Sequence, residues 1–219
     1  MIKQLRNLLV YYFEFWVLGE IKMNAMNVRL DLFEKIIPFN HKLAPLFIRD
    51  SLHSIIPEGT DHIFVIGIGS NVINGDSLGP FVGTLLHDLY PQHLTVVGNL
   101  QSPLDGQTLV PKVSQITLPQ NSFVIAIDSV LGSERIVNSI VVRDGSLLPG
   151  SGLGKSLPPI GDCSIMGVVL ENDPTLECSL LSTNLHLIYT MATNIAKGIS
   201  LAIRQYYKYP SFHPILQQC

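Results

Sequence analysis

Charge is scarce in this sequence. Asp, Glu, Lys and Arg make up 14% of its 219 residues, against 47% hydrophobic residues. The net charge is −3 and no stripe of Lys and Arg is present, so nucleic acid is not an expected partner, because such binding draws on clustered cations. Cysteine is scarcer still. Cys163, Cys178 and Cys219 form an odd set with no short metal-type spacing, which excludes a disulfide framework and predicts reduced thiols in a cytoplasmic protein. No apolar run has the roughly 20 residues needed to span a bilayer, so no membrane partner is expected. The segment Met1 to Glu20 comes nearest, but Glu14 interrupts it after Leu8–Phe13. A signal peptide, an amphipathic extension and translation from upstream of Met23 or Met26 stay open for residues 1–25.

The remaining composition is that of a globular chain with enough apolar residues for one sizeable core. Residues 26–207 read as a single domain, followed by a tail over 208–219. Residues 1–22 are expected to be helical and 29–40 to form a loop approach, with Pro38 as a breaker. Leu43–Ile56 reads as a helix ended by Pro57 and Gly59. His62–Ile68 is nearly continuous in apolar residues, the mark of a strand covered on both faces. Leu94–Gly98, Ser122–Asp128, Ile136–Arg143 and Cys163–Leu170 are the other expected strands. Ser129–Glu134 reads as a loop. Phe81–Leu89, a short segment over Thr108–Ile116, and Thr175–Gln205 are expected helices. In the last, Leu181, Leu185, Ile188, Ala192, Ile195, Ile199 and Ala202 share one face. Strands alternating with helices predict a three-layer α/β/α sandwich on a mostly parallel, mixed sheet.

The centre of the pattern is Gly67-Ile68-Gly69-Ser70-Asn71-Val72-Ile73-Asn74-Gly75-Asp76-Ser77-Leu78-Gly79-Pro80, a glycine-rich turn between a strand and a helix. Pro80 suits a first helical turn, and Asp76 falls beside free helix N–H groups, which are expected to favour its charged form. Asp128 closes the apolar run Val124–Ile127. Ligands of such sheets sit beyond the carboxyl ends of the strands, where both acids fall. Singly, each reads as a cap or turn residue. Together they form a carboxylate pair, which cannot ionise twice cheaply and so supplies one acid and one base for hydrolysis. Ser77 and Gly79 in the turn, and Ser129 after Asp128, are the candidate substrate-binding residues.

Other chemistries fit less well. The third glycine of a dinucleotide fingerprint would fall on Val72, and the helix opens too late. Gly150–Ser156 lacks the first glycine of a phosphate loop, and Pro158-Pro159 blocks its helix. His87, His93 and His186 have no partner at ligand spacing, so no metal and no cofactor is expected, although two acids could hold a divalent ion weakly. No Gly-x-Ser-x-Gly elbow supports a serine triad, and Cys163 and Cys178 read as small buried residues.

Three separated motifs carry a resemblance: Gly75–Pro80, Ala126-Ile127-Asp128, and Leu148–Gly152 continuing to Leu157-Pro158 and Gly161-Asp162. From about Leu43 to Ala202 the chain resembles the YyaC-type sporulation proteins. That group is similar to the spore germination protease and, more distantly, to the hydrogenase maturation endopeptidases. The resemblance implies a phosphorylase/hydrolase-like fold, a protein or peptide substrate, and catalytic roles for Asp76 and Asp128. It implies a cytoplasmic protein of the forespore or spore, and leaves a homo-oligomer open. The nickel-binding relatives use a histidine in a later loop, and 143–165 contains none. The chain also departs from the family pattern at Ser70-Asn71-Val72, where a Thr-Asp-Arg is usual, and at Asp105, near a usual histidine. These departures keep an alternative in view: a non-catalytic peptide- or partner-binding protein of the same fold.

Overall fold

The computed structural model describes residues 34–149, 158–172 and 177–217. The helix expected over 1–22 lies outside them. Among the described residues, six strands form one sheet: β1 (Glu34–Pro38), β2 (His62–Gly67), β3 (Leu94–Val97), β4 (Ser122–Gly132), β5 (Ser139–Asp144) and β6 (Cys163–Glu171), in the order β1-β5-β6-β4-β2-β3. β2 pairs in parallel with β3 and β4, and β4 with β6. β5 is antiparallel to both its neighbours, so it alone runs against the other five.

The helices are α1 (Ala44–Ile55), α2 (Leu78–Leu86), α3 (Leu109–Val113) and α4 (Leu185–Tyr206). Strand alternation divides the core between two faces. Ile63, Val65, Ile125, Ile127, Ile140, Val142 and Ile165 join the buried residues of α1, α2 and α4. Phe64, Ile66, Ile68, Val124 and Ala126 meet Leu104, Leu109, Leu147 and Ile160 on the other face. The continuous apolar reading of β2 and β4 thus follows from cover on both sides. The second cover is thin, a five-residue helix and loop segments. α1 and α4 cross closely at Gly198, where a Cβ would lie 2.6 Å from the Cβ of Ile48.

Several boundaries differ from those read in the sequence; β5, expected from Ile136, begins at Ser139 after a 3₁₀ turn over Glu134–Ile136. Residues 34–38 form an edge strand rather than a loop. Ile37 is 1% exposed and Ile36 51%, and Pro38 closes the strand at an edge where a missing N–H is tolerated. β4 runs on through 129–132, because β6 supplies backbone partners as far as Glu171. α2 begins at Leu78, three residues early, with Pro80 in its first turn. α4 begins only at Leu185, where the Asn184 side chain accepts the His186 N–H at 2.9 Å. Glu177–Ser182 is a 3₁₀ turn, and Leu181 is exposed in it rather than on the helix face.

Beyond α4 the chain folds back. Tyr90 Oη shares a 2.6 Å hydrogen bond with Ser200 and donates to the Pro214 carbonyl at 3.0 Å. Tyr209 Oη lies 2.7 Å from His93 Nδ1, and the Gln217 N–H reaches the Leu85 carbonyl at 2.9 Å. The segment read as a tail is strapped across the end of α2 and the turn into β3.

Candidate active site

β2 and β4 are neighbours from which the chain departs in opposite directions: after β2 it reaches β3 on one side, and then crosses back to β4 on the other. In open α/β sheets ligands bind at such a reversal, beyond the carboxyl ends of the two strands. The register defines this one. Gly67 pairs with Ile127 and the Ile68 N–H still bonds the Ile127 carbonyl at 2.8 Å, but β2 offers no partner beyond. Asp128 is therefore the first β4 position without a β2 neighbour, while β6 still holds it opposite Met166. Alternation turns its side chain to the face of Val124 and Ala126.

The glycine turn brings Asp76 to the same place. Ile68 bridges Leu104, and the Gly69 N–H donates to the Leu104 carbonyl at 3.0 Å. Gly69 takes a φ of +133°, and a Cβ there would run into the backbone carbonyl of Asp76. That carbonyl accepts the Ser70 N–H at 2.9 Å. Asp76 ends a short 3₁₀ turn, Asn74–Asp76, just before α2. From the other side, a Cβ on Gly75 would lie 2.7 Å from both Leu180 Cδ2 and Thr183 Oγ1, and the Asn74 amide reaches the Thr183 carbonyl at 3.3 Å. The acid is clamped between the end of β2 and the approach to α4.

The environments of the two acids separate their protonation. Burial is the main cause of the raised pKa of Asp76, which stands at about 6; the Ser70 N–H pulls it down and the charge of Asp105 pushes it up. Asp128 is raised well above the ordinary carboxylate range, first by burial and then by the charge of Asp76, against one 2.8 Å hydrogen bond from the Ser129 N–H to its Oδ1. Asp76 ionises first, facing a neutral Asp128, and Asp128 then resists ionising beside it. One acid and one base coexist near neutral pH.

The remaining sequence candidates occupy different positions. Ser77 is 4% exposed and its hydroxyl donates to the Asn74 carbonyl at 2.7 Å, which secures the turn. Gly79 lies against the end of β2: a Cβ on it would collide with the Ile68 carbonyl, so it permits α2 to pack there. Ser129 points to the opposite face from Asp128, and its hydroxyl oxygen is buried with no partner among the described residues. Asn71 ties its amide to the Leu100 carbonyl at 2.9 Å, whereas Val72 is 80% exposed. Cys163 is buried with its thiol pushed up to about 12, mainly by burial, which removes it as a nucleophile.

One site residue entered the sequence reading only as a turn signal and a departure from the family pattern. Asp105 stands one residue past Leu104, close enough for its charge to act on Asp76. Its Oδ1 accepts the Gln107 N–H at 3.0 Å, the Thr108 N–H at 2.9 Å and the Thr108 hydroxyl at 2.9 Å. Asp105-Gly106 carries only the signal of a turn, and nothing local shows that the turn packs beside β2. Among the described residues, no three His, Cys, Asp or Glu side chains converge closely enough to hold a metal ion. None of their helices is long and apolar enough to cross a membrane.

Fold and site define an α/β protein with a coupled carboxylate pair at the switch point of its sheet. The chain belongs to the DUF1256 family, described as "protein of unknown function", whose model matches residues 37–198. It is 36% identical over 154 residues to the uncharacterized protein YyaC of Bacillus subtilis (strain 168), covering 70% of this chain and 75% of that protein. Among solved structures, it is similar to the [NiFe] hydrogenase maturation protease HycI of Thermococcus kodakarensis KOD1. That likeness has 17% identity and a TM-score of 0.35, over 66% of this chain and 97% of the other.

Proposed function

We propose that this chain is a sporulation-associated, peptidase-like hydrolase in which Asp76 and Asp128 act on a peptide bond. The carrying observation is positional: two segments distant in sequence bring the two acids together at the ends of β2 and β4, where the charge of one bears on the other. Near pH 7 Asp76 is the base and Asp128 the acid. Asp76 takes a proton from a water whose oxygen attacks the peptide carbonyl. The proton of Asp128 passes to the departing nitrogen as the C–N bond breaks, so one water is consumed per bond. The first turn of α2 leaves N–H groups without intrahelical acceptors, and these suit the oxyanion of the tetrahedral intermediate. The sporulation part of the reading rests on the three motifs that resemble the YyaC-type proteins.

A second reading has its own observation. Val72 and Leu181 are 80% and 62% exposed on the two segments that flank Asp76, an arrangement that also suits a peptide held without cleavage. Incubating the purified full chain with spore extract and mapping new protein termini separates the two. New termini that vanish with Asp76→Asn support the hydrolase. Specific capture without new termini supports the binding protein.

A further inference from the structure

The turn over residues 103–108 is more tightly made than its length requires. Thr108 Oγ1 accepts the Asp105 N–H at 3.1 Å, and its single hydroxyl proton has two acceptors in reach, the Asp105 carboxylate at 2.9 Å and the Pro103 carbonyl at 3.1 Å. Two backbone N–H groups complete the set around that carboxylate oxygen. Lys112 adds a nearby cation, itself bound to Ser102 Oγ at 2.8 Å and to the Pro103 carbonyl at 3.2 Å. The Thr108 N–H and hydroxyl, the Gln107 N–H and the Lys112 charge favour the ionised carboxylate. The Ile68–Leu104 bridge and the Gly69 N–H to Leu104 bond then fix this charge against the strand end that carries Asp76.

We propose that Asp105 is a positioning residue of this site: its carboxylate, held by the 103–108 turn beside the end of β2, opposes the ionisation of Asp76. The role rests on the hydrolase reading for its use, but not for its detection. Among the described residues the three acids do not gather closely enough to hold a metal ion together. Asp105 acts through its field. Its pKa is lowered, chiefly by the Thr108 N–H and hydroxyl, while that of Asp76 is raised. The two titrate in separate ranges, so Asp105 is fully charged while Asp76 is still taking up its proton. Among the described residues, the charged groups that act on Asp76 are Asp105 from this turn and, across the pair, Asp128 from β4.

The test is a side-chain carboxyl titration of Asp76 by NMR in the full chain, which needs no substrate. Asp105→Asn removes the charge but keeps an oxygen able to accept the Gln107 and Thr108 N–H bonds, so a purely structural role predicts no change. The expected result is a fall of the Asp76 midpoint from about 6 by about half a unit or more, the direction set by loss of a like charge. Asp105→Ser, a second uncharged capping side chain, should give the same displacement. An Asp76 midpoint that stays at its wild-type value in either folded variant overturns the proposal. Termini mapping with Asp76→Asn judges the hydrolase reading separately. If cleavage is observed, the acid limb of its pH profile should move down in Asp105→Asn together with the midpoint.

Discussion

The α-carbon of Gly69 lies directly against the backbone carbonyl of Asp76, at a φ of +133° that only glycine adopts freely. The contact closes the glycine turn on itself and sets the height of Asp76 above the end of β2. Gly69→Ala therefore has to push the 3₁₀ turn away. The expected cost is about 2 kcal/mol or more in denaturant unfolding, with a larger proportional loss of any cleavage activity. An alanine variant with unchanged stability and an unchanged Asp76 titration would show that the turn is not the determinant.

The pair itself should trade stability for chemistry. Asp76→Asn and Asp128→Asn are each expected to abolish turnover, by about 10²-fold or more for loss of an acid or base, while the fold survives. Cleavage retained in both purified variants would remove the pair from the mechanism.

The same substitutions should alter stability in a pH-dependent way. A carboxylic acid whose pKa is raised on folding binds more protons in the folded state than in the unfolded one, so stability falls as pH rises through that window. For Asp76 the window runs from its ordinary 3.8 to about 6, and for Asp128 it extends higher. Asp128→Asn is thus expected to stabilise the protein at pH 7, by about 1–3 kcal/mol, and to add nothing near pH 3.5. Thermal unfolding at the two pH values measures it. An equal effect at both would mean that folding does not raise the pKa of the Asp128 carboxyl.

Activity, where measured, should rise with pH through about 6 as Asp76 becomes the ionised base. It should fall again at higher pH as Asp128 gives up its proton. A profile flat from pH 5 to pH 8 would contradict this division of roles.

Tyr90 is fully buried and holds both Ser200 and the Pro214 carbonyl through its hydroxyl. Tyr90→Phe leaves those partners unpaired and is expected to cost about 1–3 kcal/mol. Limited proteolysis should then cut residues 207–217 sooner than in the wild type. Unaltered protection of that segment would show that the ring stacking of Tyr90 on His213 and of His93 on Tyr207 suffices to hold it.

Hydrophobic order along the chain was enough to place β2, β4 and β6, because strands covered on both faces are written as unbroken apolar runs. The glycine turn and its acid were equally legible, since positive φ angles and close backbone contacts demand glycine at fixed points. The two aspartates could be named from their positions at the ends of such runs. The sequence could not show which strands are neighbours: that depends on which surfaces bury each other across the whole sheet. Only the tertiary structure made the tip of β4 outlast β2 and so uncover Asp128. Pairing with β5 likewise made an edge strand of residues 34–38, despite Pro38, and packing against β2 turned Asp105 from a turn residue into a charge beside the site. Side-chain type and local spacing determine what each segment becomes; the electrostatics of Asp76, Asp105 and Asp128 depend on distances that only long-range packing sets.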